Sequence, residues 1–335
     1  MEILSLLIRE NNEVQQTFAK TKIPLYRSSL KRELYALDRV VPIALYSKSV
    51  PIQQSAYLIF VSYCQGNPDA QISIASTLLP LPSTKDDYSI GNHIITEFLK
   101  KDNPESHVIA CMLLDAIFCN SNTRHVFFKP INATDETSFM DVFVEYLASA
   151  DDKQRSVSIL KLLVIVTNDA DNGFLLALMN ETLISYLLLK SSDSDIFQSG
   201  IASLVLLNVL SSLKYNSAPN TNMEVIDKIS RAIDSVGFDV LKRKLNVMVA
   251  SKEFTEAEEN GFSTGVVFER LAVAFMNAII RNVGDRRDAG EKKLREKEID
   301  ALKARVQELT DAKDRLEQQL AASKQHAEEL AAQLE

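Results

Sequence analysis

The residues of this chain best suited to do chemistry are His107, Cys111, Asp115 and Cys119, which recur at every fourth position. On an α-helix that spacing sets an imidazole, two thiols and a carboxylate in one row, and all are ligand types for a transition metal. A single straight helix offers an ion at most two neighbours of such a row, so the remaining ligands would have to come from elsewhere in the chain. The supply is small: four histidines and three cysteines in all, Cys64, Cys111 and Cys119, with no CxxC pair. The row is therefore read as thiols packed in a helical core, with no metal. Nucleophilic and phosphate-binding chemistry find even less. The sequence has no GxSxG, no Walker or dinucleotide glycine pattern, no HExxH and only nine glycines, so neither a catalytic residue nor a cofactor is expected.

A second grouping is basic. Lys228, Arg231, Lys242, Arg243 and Lys244 have the charge to meet acidic lipid headgroups or an acidic partner. They also fit the solvated face of one amphipathic helix from Met223 to Val249, with Val225, Ile226, Ile229, Ile233, Val236, Phe238, Leu241 and Leu245 turned inward. Glu253, Glu256, Glu258 and Glu259 follow closely and dilute the field. The formal charge of −8 and pI near 5.3 argue against a nucleic-acid surface.

The third grouping is apolar and periodic. Ile299, Leu302, Val306, Leu309, Leu316, Leu320, Ala327, Leu330 and Leu334 alternate in steps of three and four, the seam of a coiled coil with Ile299 at an a position. A rod from Leu294 onward would be about 60 Å long at 1.5 Å per residue. Lys313 at a and Ser323 at d lower stability but restrict register. Glu298 at g and Lys303 at the following e attract across a parallel homodimer.

These groupings need helices to hold them, and the remainder of the chain supplies helices. Pro51 to Cys64, Pro104 to Cys119, Lys153 to Thr167 and Ile196 to Leu213 each open polar and continue apolar. They close at Gly66-Asn67-Pro68, Asn120-Ser121-Asn122, Asn168-Asp169 and near Asn216. Successive starts lie about 43 to 53 residues apart, near the period of armadillo or HEAT units. Gln71 to Leu79, His93 to Lys100, Ser138 to Ala148 and Phe174 to Leu189 are the second helices between them. Residues 1–19 read as a helix broken at Ile23-Pro24, and Ser29 to Leu37 as another. Pro80 to Asp87 and Lys129 to Thr137 are loops, and a last apolar helix spans Val266 to Val283. Helices apolar nearly all round need neighbours on several sides, which stacking into a solenoid provides.

The predicted fold is thus all-α: an armadillo/HEAT-like α-solenoid over 1–283, a hinge over 284–293, and a dimeric parallel coiled coil over 294–335. The run Ile3 to Ile8, followed at once by Arg9-Glu10-Asn11-Asn12, predicts neither signal peptide nor membrane anchor. Runs such as Ile201 to Leu210 are too short to span a bilayer. Free cysteines fit a reducing compartment, so a cytoplasmic protein with peripheral membrane contact is expected.

Several stretches resemble one family. Leu7-Ile8-Arg9-Glu10-Asn11-Asn12-Glu13-Val14-Gln15-Gln16-Thr17-Phe18-Ala19 is similar to the segment of a vesicle-tether head in which a late armadillo helix ends in a charged, Asn-containing turn. Asp151-Asp152-Lys153-Gln154-Arg155-Ser156-Val157 to Asn168, Gly200 to Leu213, and Ile226-Asp227-Lys228-Ile229-Ser230-Arg231 resemble the C-terminal part of that head. So do Phe238, Leu241, Lys252-Glu253-Phe254, and Val267-Phe268-Glu269-Arg270 feeding through Val283 into coiled coil. The family is the general vesicular transport factor family, the long coiled-coil tethers of ER-to-Golgi traffic. The resemblance implies a parallel homodimer, peripheral on Golgi and transport-vesicle membranes. Its implied partners are a Rab-type GTPase, SNARE proteins and golgins. The alternative is a generic armadillo scaffold of the cytoskeleton, like the regulatory region of a formin, in which such a domain also precedes a dimerising helix.

Overall fold

The structure, a computed structural model, describes residues 2–24, 33–100, 103–132, 134, 136–149, 152–215, 223–260, 272–283, 299, 303, 305 and 307. The chain divides into two compact units, Met1–Arg281 and Asn282–Glu335.

The first unit is built on a repeated trio of helices: one short, one middle, one long. The long helices are α4 (Val50–Cys64), α7 (Pro104–Phe118), α9 (Lys153–Thr167) and α12 (Ile196–Tyr215). They stack in series, α4 on α7, α7 on α9 and α9 on α12. Their composition requires this. Every residue of α7 from Ser106 to Phe118, and of α9 from Arg155 to Thr167, is buried, so each must be covered on all sides. The middle helices α3 (Ala36–Tyr46), α6 (Ile90–Leu99), α8 (Phe139–Ala148) and α11 (Glu181–Ser191) each pack on the long helix that follows. The short members are α2 (Asn12–Lys20), α5 (Pro68–Ser76), a 3₁₀ helix at Ser121–Phe128, and α10 (Asn172–Leu178). Around the third trio, Phe98, Phe118, Phe127, Phe139 and Phe143 bring ring centroids within 5.0–6.1 Å. Each such buried side chain contributes about 1.5–3 kcal/mol.

One turn recurs at three of the handovers from a long helix to a short one, the exception being α7 into the 3₁₀ helix, where Cys119 and Asn120 keep negative φ. Glu10, Gly66 and Asp169 adopt left-handed backbone at φ 54°, 66° and 49°, the usual way for a helix to stop. Asn11, Asn67 and Asp171 then cap the next helix by accepting from the backbone N–H of Val14, Ala70 and Phe174. The helix entering the first of these turns, α1 (Glu2–Ile8), packs on α4 as α4 packs on α7. It therefore occupies the place of a long helix.

A second device closes the first three trios on themselves. Gln15 of α2 donates its amide to the carbonyls of Ser62 and Gln65, at 3.0 and 2.9 Å, where α4 ends. Gln71 of α5 does the same for Ala116 at the end of α7, at 2.9 Å. Arg124 of the 3₁₀ helix reaches the carbonyl of Asn168, beyond α9. The last carbonyls of a helix have no partner within it. Here the short element of the same trio supplies one.

Several expectations are corrected. Residues 1–19 are two helices rather than one, because Glu10 and Asn11 form the recurring turn. Glu33–Tyr35 is not helical. It pairs antiparallel with Lys22–Pro24 as β2 with β1, since Pro24 holds Ile23 out of the helical region. Helix α3 follows with Pro42 inside it, and that proline had masked it. Phe174 to Leu189 is divided into α10 and α11, bent by 78° around Asn180, which caps α11. Met223 to Val249 is likewise divided, into α13 (Met223–Val236) and α14 (Phe238–Val249), by Gly237 at φ 89°. Short α15 (Lys252–Asn260) and a helix at Ala272–Val283 follow, and a one-turn 3₁₀ helix at Lys85–Asp87 interrupts the loop expected from Pro80 to Asp87. Ile196–Leu213 does have the length and hydropathy to cross a membrane, but 89% of it is buried in the fold.

Candidate functional site

The starts of the long helices and the ends of the middle helices form an edge on which charged and aromatic side chains collect. It is tied by three knots, each holding a tyrosine from a middle helix. In the first, Tyr46 of α3 donates its hydroxyl to Glu97 of α6 at 3.0 Å. Glu97 is 1% exposed and also pairs with Lys100. Burial pushes the Tyr46 hydroxyl upward, and the Glu97 carboxylate adds to the effect. The rings of Tyr46 and Tyr88 stand edge-on to His93 at 6.4 and 5.6 Å, and burial lowers that imidazole below its ordinary value.

In the second knot, the carbonyl of Lys100 accepts from the Tyr146 hydroxyl at 3.0 Å and from Arg155 at 3.3 Å. The Arg155 guanidinium lies 5.4 Å from the Tyr146 ring. In the third, the hydroxyls of Ser156 and Tyr186 are 2.9 Å apart, and Ser156 also donates to Gln198 at 3.3 Å. Lys153 pairs with Asp195 and lies 5.3 Å over the Phe197 ring. Burial works to raise the Asp195 carboxyl. The Lys153 ammonium and the backbone N–H groups of Gln198 and Phe197 outweigh it and hold the group below the usual carboxylate range. The edge locks trio to trio while leaving Tyr46, Lys100 and Lys153 reachable from water.

The row of His107, Cys111, Asp115 and Cys119 lies along α7 into the core. The carbonyl of Phe98 accepts from His107 Nδ1 at 2.7 Å, which fixes the proton on that nitrogen. Nε2 is then free to accept from the Cys111 thiol at 3.4 Å. Phe98 and Tyr146 lie against the imidazole at 5.3 and 5.6 Å, and burial lowers its pKa to about 4. Asp115 is wholly buried and engaged within the core, while Cys119 accepts from Gln71 at 3.0 Å. Among the described residues no three His, Cys, Asp or Glu side chains converge to hold a metal.

The basic grouping is not one patch. Lys228 pairs with Glu181 at 3.3 Å, Arg231 donates to the Asp227 carbonyl at 3.2 Å, and Lys244 donates to the Asp193 carbonyl at 3.0 Å. Lys242 and Arg243 are exposed on α14 beside Val240 and Val247, and hold no ion pair among the described residues. Of the seam, Ile299 is helical and 49% exposed. Leu302, Val306, Leu309, Lys313, Leu316, Leu320, Leu330 and Leu334 lie outside the described residues, as does the hinge over 284–293. Sequence patterns missed the tyrosine edge because Tyr146 and Tyr186 sit in runs that read as plain apolar helix. The usable signal was one tyrosine in three of the four middle helices.

A trio of short, middle and long helices, stacked in register with capped turns, is the armadillo arrangement. The model of the head region of Uso1/p115-like vesicle tethering proteins matches residues 11–277, most of the chain. The chain belongs to this family. Solved structures share the fold. The crystal structure of Uso1-2 superposes with a TM-score of 0.64 at 15% identity, over 85% of this chain and 48% of that one. That of Uso1-1 gives 0.62 at 14%, over 83% and 47%. The chain thus spans about half the length of the solved chains it matches. No curated protein matches it. As a Uso1/p115-like head it belongs by family among vesicle-tethering proteins. The match begins at Asn11, the first of the recurring caps, and ends at Asn277, so it covers all the trios described.

Proposed function

We propose that the chain is the head and upper stalk of a tether that holds ER-to-Golgi or intra-Golgi transport vesicles near their target before fusion. The observation that carries this is the family match across residues 11–277. A Rab-type GTPase recruits the tether and SNARE proteins engage it, with golgins a further partner by family resemblance. The protein is cytoplasmic and peripheral on Golgi and vesicle membranes. The seam from Ile299 to Leu334 joins two copies in parallel, with Lys313 restricting register.

The exposed side of the tyrosine edge, Tyr46 with Lys100 and Lys153, suits a protein partner, because Tyr is enriched among interface anchors. The exposed basic pair Lys242 and Arg243, flanked by Val240 and Val247, offers an acidic partner or lipid a second contact. The deciding experiment is a pull-down on immobilised Rab-type GTPases, each loaded with GTP or GDP. Retention on at least one GTP-loaded form and release on the GDP form are expected. Equal loss from both forms across the set would remove the recruitment step and leave the fold untouched.

A further inference from the structure

Ser192-Asp193-Ser194-Asp195 forms the turn from α11 into α12. Ser194 is exposed, and its hydroxyl makes one long bond of 3.4 Å, to Asp193 Oδ1. Ammonium groups from three different helices close on the residues to either side of it. Lys153 of α9 pairs with Asp195. Lys190 of α11 lies 3.9 Å from Asp193 Oδ2, and Lys244 of α14 donates to the Asp193 carbonyl at 3.0 Å. Two carboxylates and one backbone carbonyl hold three ammonium groups beside an exposed hydroxyl that makes a single long bond. A dianionic group on that hydroxyl would meet donors already gathered there by the fold. The hydroxyl also stands between two aspartates, the setting that a kinase with a basic substrate groove selects.

We propose that Ser194 is a phosphorylation site, and that Lys153, Lys190 and Lys244 receive its phosphate and fasten the α11–α12 turn to α14. In the transfer, Ser194 Oγ bonds to the γ-phosphorus of a nucleoside triphosphate. The bond from that phosphorus to the bridging oxygen breaks, the nucleoside diphosphate leaves, and the hydroxyl proton passes to a base of the kinase. The inference does not depend on the tether reading. It concerns a turn that the recruitment experiment does not probe.

The test treats the full chain with ATP and an acidophilic casein-kinase-type enzyme, maps phosphate by mass spectrometry, and follows the phosphoserine by phosphorus NMR against pH. Phosphate is expected on Ser194 and absent in Ser194→Ala. Its second ionisation should fall below the ordinary value of about 6 in the folded chain, and return to about 6 in urea or in Lys190→Met/Lys244→Met. Absence of phosphate on Ser194, with casein fully phosphorylated in the same tube, overturns the site. A phosphate that titrates alike in the folded and urea-unfolded chain overturns the lysine clamp.

Discussion

His107 shows how one buried side chain ties stability to pH. Its pKa is lowered to about 4 in the fold, against about 6.5 for a free imidazole. The unfolded chain therefore binds the proton more tightly. The stabilising contribution is complete above pH 6.5 and is lost as pH falls from there towards 4, up to about 3 kcal/mol. Urea midpoints measured from pH 7 to 4.5 should fall more steeply for the native chain than for His107→Gln, and parallel slopes would refute the assignment. Gly91 makes a steric case. A methyl group there would lie 2.6 Å from the backbone of Thr77 and Leu78, and backbone cannot swing aside as a side chain can. Gly91→Ala should destabilise the head by about 1–3 kcal/mol, read as a lowered denaturation midpoint with unchanged far-UV dichroism.

At the scale of elements, the carbonyl bonds that tie a short element to the end of its own long helix are the part most open to attack. Gln15 is wholly buried and serves two carbonyls at once. Gln15→Ala should cost about 1–3 kcal/mol by leaving buried acceptors unserved, whereas Thr17→Ala on the same helix's exposed side should cost far less. Equal losses would show that α2 packing, not the amide, is at work. Gly200 permits the close approach of α12 to α14, since a side chain there would meet Met248 Cβ at 2.5 Å. Gly200→Leu should raise amide exchange across α14 by prising the two apart. The long helices were legible from sequence because burial on every side leaves long apolar runs with capped starts, and α9 was placed to the residue. The elements that escaped did so for local reasons: Pro42 hid α3, Gly237 passed as a tolerated glycine, and Glu10 gave no sign that a charged residue would stand in left-handed backbone. The tyrosine edge was illegible because its members are far apart in sequence and meet only when trios stack.

For the whole molecule, the question is how many heads act together. Glutamate at Leu302, Leu309 and Leu316 should halve the mass measured by light scattering and leave the melting of the head unchanged, because those residues belong to the other compact unit. An unchanged mass would remove the parallel dimer from the proposal. The recurring turn at Glu10–Asn11, Gly66–Asn67 and Asp169–Asp171 has a consequence for how such proteins change length in evolution. Each crossing offers the same backbone conformation and the same capping chemistry, so one crossing can be joined to another without a new junction having to be invented. A duplication from Asn11 to Gly66, the residue before Asn67, would insert a complete trio whose ends already match its neighbours. Relatives of very different lengths can therefore descend from one another by whole steps rather than by gradual elongation.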